Sequence, residues 1–167
     1  TTAVEEAVEL AKKAFEKDSS VVGLSSHFRD LDNKLGGFHP SDLIIIAGRP
    51  SMGKTSLATN IAFNIARDAH INKDSNSNVL FFSLEMSSEQ LATRILSEQA
   101  KISSSDIRKG NVSENDLDNI VSVSKDILEI PLFIDDTPAI NVGSISSRAR
   151  KLKRTSVLGE IVIDYLQ

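Results

Sequence analysis

Cysteine is absent from this chain of 167 residues, so neither disulfides nor thiolate metal sites enter its chemistry, and a cytoplasmic setting is in keeping with that. No stretch reaches the 18 or more apolar residues that a membrane span needs, and no signal-peptide pattern opens the chain. Positive charge is short as well. Nineteen Lys and Arg against 23 Asp and Glu leave a net charge of −4. That speaks against a surface that wraps nucleic acid by bulk electrostatics, while leaving room for a few basic loops. The three histidines, His27, His39 and His70, lack metal-ligand spacing and carry no assigned role. What is present is ordinary for a globular domain: 40% apolar and 25% charged residues, and length enough for one core. The chain opens on Thr1 and stops at Gln167, straight after an apolar run that reads as a buried strand, so we expect a fragment of something longer.

The most informative stretch is Gly48-Arg49-Pro50-Ser51-Met52-Gly53-Lys54-Thr55, followed by Ser56. The apolar run Leu43-Ile44-Ile45-Ile46-Ala47 leads into it, and a helix-period segment, residues 56–69, leads out. This is the G-x-x-x-x-G-K-[ST] phosphate loop in the strand-then-helix setting that the motif requires. Its glycines let the backbone turn tightly and bring N–H groups against phosphate oxygens, at the positive end of the following helix. Lys54 can reach the β- and γ-phosphates, and the Thr55 hydroxyl can sit on Mg²⁺. Nucleotide binding is the first functional expectation.

Around the loop, residues 3–17 read as a helix with an apolar stripe of Val4, Ala7, Val8, Ala11, Ala14 and Phe15, backed by a Glu9–Lys13 pair. That stripe packs either on its own domain or on a neighbouring subunit. Residues 25–35 read as a short helix ended by Gly36-Gly37, with Pro40-Ser41-Asp42 turning the chain into the 43–47 strand. In the helix after the loop, Leu57, Ile61 and Ile65 form one ridge and Ala58, Ala62 and Ala66 another. Residues 71–78 are polar and expected to be a mobile loop. Val79-Leu80-Phe81-Phe82-Ser83 is the next buried strand, and Ser87-Ser88-Glu89-Gln90 is a capping box opening a helix with Leu91, Ala92, Ile95 and Leu96 inward. Residues 113–128 form another helix, with Leu117, Ile120, Val121, Ile127 and Leu128 inward, stopped by Pro131. The strand 132–134, a helix over 141–153 burying Val142, Ile145, Ala149 and Leu152, and the strand 160–164 complete the chain. Short apolar strands alternating with amphipathic helices predict an α/β fold with a mainly parallel sheet flanked by helices.

In such sheets ligands bind beyond the carboxyl ends of the strands, which directs attention to the phosphate loop, Glu85, Asp135, Asp136 and Asp164. Two apolar strands end in Asp, at Asp135 and at Asp164, and either could serve the Mg²⁺ shell on pattern alone. Asp135 and Asp136 read equally as turn-capping residues, because Thr137-Pro138 continue as a loop. Glu85 could be favoured merely by the dipole of the helix it precedes. If its strand lies beside the phosphate loop, it can also face the γ-phosphate and polarise a water. Arg148, Arg150, Lys151, Lys153 and Arg154 read as a solvated helix face, with an anion or nucleic-acid contact as the alternative.

Three ordered motifs then carry a resemblance that spans nearly the whole chain: the loop from Gly48 to Thr55, Phe82-Ser83-Leu84-Glu85-Met86, and Val162-Ile163-Asp164-Tyr165-Leu166-Gln167. Together they resemble the bacterial replicative hexameric DNA helicases, the DnaB family, whose motor domain is RecA-like. The lead-in Leu31-Asp32 to Leu35-Gly36-Gly37 and the segment 131–138 are similar too. The resemblance implies a linker helix and connector over 1–23 and the N-terminal part of a RecA-like ATPase motor over 24–167, an incomplete phosphate-loop NTPase. It implies ATP and Mg²⁺ as ligands, Lys54 and Thr55 on phosphate and metal, Glu85 as the catalytic carboxylate, and Asp164 rather than Asp135 in the Mg²⁺ shell. It makes the 3–17 helix an arm onto the adjacent subunit of a homo-hexamer. Single-stranded DNA at the replication fork, a primase and a helicase loader are the implied partners, with no membrane. Ser56 stands where the family often has Ala, a difference expected to be harmless.

Other classes fit less well. A nucleotide-binding module without turnover suits the chain as an isolated fragment, and a recombinase-like ATPase shares the fold. A small-molecule kinase would need an arginine-rich lid, which nothing between Glu85 and Asp164 clearly supplies.

Overall fold

The computed structural model describes residues 2–16, 21–72 and 77–165, which fall into two compact units, Thr1–Ile46 and Ala47–Gln167.

The first unit opens with helix α1, Thr2–Glu16, in keeping with the helical periodicity. Val4, Val8 and Phe15 are exposed on it. After residues outside the description, Leu24 and Phe38 form an antiparallel bridge, each N–H donating to the other's carbonyl at 2.9 and 2.8 Å. Gly23 is obligatory beside that bridge, because a Cβ there would stand 2.4 Å from the Phe38 carbonyl oxygen. Helix α2, Arg29–Leu35, is shorter at its start than the expected 25–35 and ends on Gly36 in the left-handed conformation.

The residues before α2 are taken up by Asp32. Its carboxylate accepts from the Ser25 hydroxyl (2.6 Å), the Ser26 N–H (2.9 Å) and the Ser26 hydroxyl (2.6 Å). Burial opposes ionisation of Asp32, but the hydrogen bonds from Ser25 and Ser26 outweigh it and hold the carboxyl below its ordinary value. A depressed carboxyl contributes stability above its unfolded value and loses it as pH falls through the folded one. Asp32→Ala should therefore cost about 2–3 kcal/mol in urea unfolding at neutral pH, from the polar groups it strands. The gap to the wild type should narrow as pH falls below the ordinary carboxyl value of 3.8.

The run Leu43-Ile44-Ile45-Ile46-Ala47 corrects an expectation. It forms no strand among the described residues, and its side chains are exposed, Leu43 by 86% and Ile45 by 78%. A run this apolar encodes burial on both faces, which needs a neighbouring strand on each side. It has none among the described residues.

The second unit is an α/β layer structure. Helix α3 is Lys54–Ile71, followed by β1 (Asn78–Ser83), α4 (Ser88–Ala100), α5 (Ser104–Lys109), α6 (Glu114–Leu128), β2 (Leu132–Asp135), α7 (Val142–Thr155) and β3 (Leu158–Asp164). The three strands are parallel in the order β2-β1-β3, as the alternation of strands and helices requires. Residues 73–76, the centre of the expected loop, lie outside the description. Central β1 buries Val79, Leu80, Phe81 and Phe82. Leu80 and Phe82 pack with Ile145 and Ala149 of α7 on one face. Alternation turns Val79 and Phe81 to the other face, which is left for α3, the helix that packs across all three strands. Ile61, Ala62, Ile65 and Ala66 of α3 are buried as the two ridges predict. Thr59, Phe63 and Ala69 join them.

Local signals hold well. The capping box at α4 is present, with the Gln90 N–H donating to the Ser87 hydroxyl and the Ser87 N–H to the Gln90 side chain. Ser113 and Asp116 form a second at α6, and the Asn141 side chain caps α7. Other features depart from the readings. Helix α5 was not expected: six residues with no buried side chain leave no apolar stripe to find. The inward face assigned to α6 is not buried, since Leu117, Val121 and Leu128 are exposed, Leu128 by 83%. Val142 of α7 and Ala92 of α4 are exposed as well.

Candidate nucleotide-binding site

The phosphate loop runs from Gly48 into the first turn of α3. Ser51 and Gly53 both take positive φ, 64° and 84°, and the loop folds back through the Met52 N–H, which donates to the Arg49 carbonyl at 3.3 Å. A Cβ on Gly53 would meet nothing within 4 Å, so glycine serves the backbone turn there and not a tight contact. The Lys54 ammonium reaches back across the loop to the Gly48 and Arg49 carbonyls at 3.0 and 3.2 Å. Its charge is thus held inside the arc of Gly48-Arg49-Pro50-Ser51-Met52-Gly53. Gly53, the N-cap of α3, offers no side-chain cap, and no acidic residue sits in the first turn. The helix N-terminal N–H groups are therefore left for an anion. Lys54 and Thr55 are half-buried, and Ser56 is exposed.

The strand ends supply the carboxylates. Register pairs Ser83 with Asp164 at the carboxyl ends of β1 and β3. It also places Glu160, Val162 and Asp164 beside Val79, Phe81 and Ser83, on the face opposite α7. Glu85 follows β1 in an exposed bend. That bend is fastened by the Leu84 N–H donating to the Asp164 carbonyl at 2.7 Å and the Ser83 hydroxyl to the Met86 carbonyl at 2.6 Å. The structure thus brings Glu85 and Asp164 to one edge of the sheet.

Asp164 and Asp135, which spacing could not separate, occupy different situations. Asp135 is engaged: Arg148 pairs with it through Nη1, and the Thr137 N–H and hydroxyl donate to its other oxygen at 3.1 and 2.7 Å. Burial opposes its ionisation, but Arg148 and Thr137 prevail and hold the carboxyl low. Asp136 accepts from the Ser88 N–H at 2.7 Å, which caps α4 and lowers its carboxyl. The turn-capping reading of this pair is the one the geometry supports. Asp164 is 7% exposed, and its Oδ2 is buried with no hydrogen-bond partner. A buried carboxylate oxygen left open is costly unless a cation or its water shell takes it. That fits Mg²⁺, which is held by one or two carboxylates plus phosphate oxygens rather than by a protein cage.

Sequence reasoning passed over two residues near this edge. Arg94 of α4 donates to the Ser56 hydroxyl at 3.2 Å; its partner lies 38 positions away, and no local signal announces it. Arg148, read as part of a solvated basic face with an anion contact left open, is the ion-pair partner of Asp135. A groove of about 480 Å³ beside the Glu85 bend is lined by Met86, Ser87, Thr93, Arg94, Ser104 and Arg108.

The sequence model of the "DnaB-like helicase C terminal domain" family matches residues 23–167. The chain belongs to this family. It is 47% identical over 169 residues to "Replicative DNA helicase DnaB" of Rickettsia typhi, covering 98% of this chain and 34% of the relative. It is 42% identical over 151 residues to the protein of the same name from Geobacillus stearothermophilus, covering 90% and 32%. Among solved structures, "ATPase Domain of G40P" superposes with a TM-score of 0.83 at 28% identity, over 97% of this chain and 56% of that one. "The Structure Of A DnaB-Like Replicative Helicase And Its Interactions With Primase" gives 0.78 at 25% identity, over 95% and 37%. The fold is accordingly the RecA-like ATPase fold of DnaB-like helicases. This chain spans about a third of the length of the curated relatives it matches.

Proposed function

We propose that this DnaB-family chain carries the ATP- and Mg²⁺-binding half of a motor that unwinds duplex DNA as a ring. The observation that carries the reading is the juxtaposition at one sheet edge of an open buried Asp164 oxygen and the Glu85 bend, on the strands against which the phosphate-loop helix packs. Residues Gly48 to Ser56 wrap the phosphates through backbone N–H groups, and Lys54 exchanges its two loop carbonyls for the β- and γ-phosphate oxygens. Thr55 and Asp164 would hold Mg²⁺, which supplies charge neutralisation between the phosphates when bound. Glu85, exposed and anchored by its neighbours, accepts a proton from the attacking water and aligns it with the γ-phosphorus. This is phosphoryl transfer by positioning and electrostatics, with little covalent chemistry asked of the protein.

Single-stranded DNA as the track, a homo-hexamer joined through α1, and primase and loader partners in the cytoplasm complete the proposal. The exposed Val4, Val8 and Phe15 of α1 support docking on a neighbouring copy. The deciding experiment is unwinding of a forked duplex by the full-length protein that contains this chain. ATP-dependent strand separation is expected. ATP binding without hydrolysis or unwinding would instead support a nucleotide-binding module.

A further inference from the structure

The Glu85 bend is held at several points, and one of them lies on the phosphate-loop helix. On the sheet side, the Leu84 N–H donates to the Asp164 carbonyl, and Asp136 of the β2 end caps the Ser88 N–H. These fix the bend and the first residue of α4. The body of α4 is held by packing, with Leu91 and Ile95 buried, and its far end by Asn119 of α6, which donates to the Ala100 carbonyl at 3.0 Å. Arg94 lies six residues into α4, about 9 Å along its axis, and its Nη1 donates to the Ser56 hydroxyl in the first turn of α3. This hydrogen bond ties α4 to the same turn that carries Lys54 and Thr55.

We propose that Arg94 is a positioning residue: held by the Ser56 hydroxyl, it sets α4, and with it the Glu85 bend, at a fixed separation from the phosphate loop. This rests on the reading of Glu85 and Lys54 as parts of one hydrolytic site. The contact gives Ser56 a purpose that its place in the loop does not. For phosphate binding Ser56 supplies a backbone N–H, which alanine would keep. Its hydroxyl is directed to Arg94. A chain with alanine at this position has no such acceptor.

The test uses the full-length protein with Ser56→Ala, Ser56→Thr, Arg94→Ala and the Ser56→Ala/Arg94→Ala double variant. Three quantities are measured: amide exchange over residues 84–90, Mg²⁺–ATP affinity, and kcat. Ser56→Ala should speed exchange over 84–90 by about 3- to 10-fold, the range expected for one partly exposed hydrogen bond, with α7 unchanged. It should lower kcat by about 2- to 5-fold while ATP affinity stays within about 2-fold. Ser56→Thr, which keeps a hydroxyl, should restore both. The double variant should be no slower than Arg94→Ala alone. Wild-type exchange in Ser56→Ala would overturn the proposal. So would an Arg94→Ala loss in kcat that is equally large with and without the Ser56 hydroxyl, because Arg94 would then act on the nucleotide directly. If the full-length protein hydrolyses no ATP, the functional reading falls, and the exchange measurement still judges the Ser56–Arg94 anchor.

Discussion

Glu85→Gln in the full-length protein is expected to reduce DNA-stimulated ATP hydrolysis by about 10²- to 10⁴-fold, the range over which a positioned general base contributes. ATP affinity should stay within about 3-fold, because Gln keeps the size and hydrogen-bonding reach of Glu and loses only the charge that accepts a proton. The side chain sits in an exposed bend whose backbone is tied to Asp164. Removing its charge therefore strands no buried partner, and the thermal midpoint should not move. That separation of turnover from binding and stability marks a chemical role. The helix-dipole reading of Glu85 makes the opposite forecast: a shift of a few tenths of a kcal/mol in stability and normal turnover. Single-turnover hydrolysis beside an equilibrium ATP titration decides between them.

Glu160→Gln should have the largest effect on stability, and in the favourable direction. Glu160 stands in β3 opposite Val79, its Oε2 is buried without a partner, and burial pushes its carboxyl up to about 7. Here the folded state holds a proton that the unfolded chain, at about 4.5, releases earlier. Stability from this group is complete below about pH 4.5, declines as pH rises, and is gone above about pH 7. The span corresponds to about 3 kcal/mol. Gln, neutral at every pH, should therefore be the more stable side chain at pH 8 by up to that amount and nearly equal to Glu at pH 4.5. Urea unfolding at the two pH values measures the difference. A wild-type advantage at pH 8 would show that the carboxylate has found a cation in the folded protein.

The parts of this structure that were legible in sequence are those whose cause lies within a few residues. The phosphate loop, the capping box at Ser87, the Gly36 helix stop and the apolar run Val79-Leu80-Phe81-Phe82 of β1 are each written into adjacent positions, and each is formed. Glu160 was visible too, as the acid that opens the expected 160–164 strand, although no role was read from it. Where burial depends on a distant surface, periodicity told only half. The stripe on α6 marks Leu117, Val121 and Leu128 as apolar but cannot say what covers them, and they are exposed. The 43–47 run likewise encodes a strand without supplying its neighbours. Asp135 is engaged by Arg148 and Thr137, whereas Asp164 keeps an open oxygen. Spacing along the chain contains neither fact.

At the centre stands the claim that the loop from Gly48 to Thr55 binds nucleotide phosphate through Lys54. Its most direct test is titration of this chain with a fluorescent ATP analogue in the presence of Mg²⁺, comparing wild type with Lys54→Ala. The lysine makes charge-assisted contacts worth about 1.5–3 kcal/mol, so the variant should bind about 10- to 100-fold more weakly. Circular dichroism should be unchanged, since in the free loop the ammonium only bridges two exposed carbonyls. Equal affinity in the two proteins, or no binding by the wild type, would contradict the account.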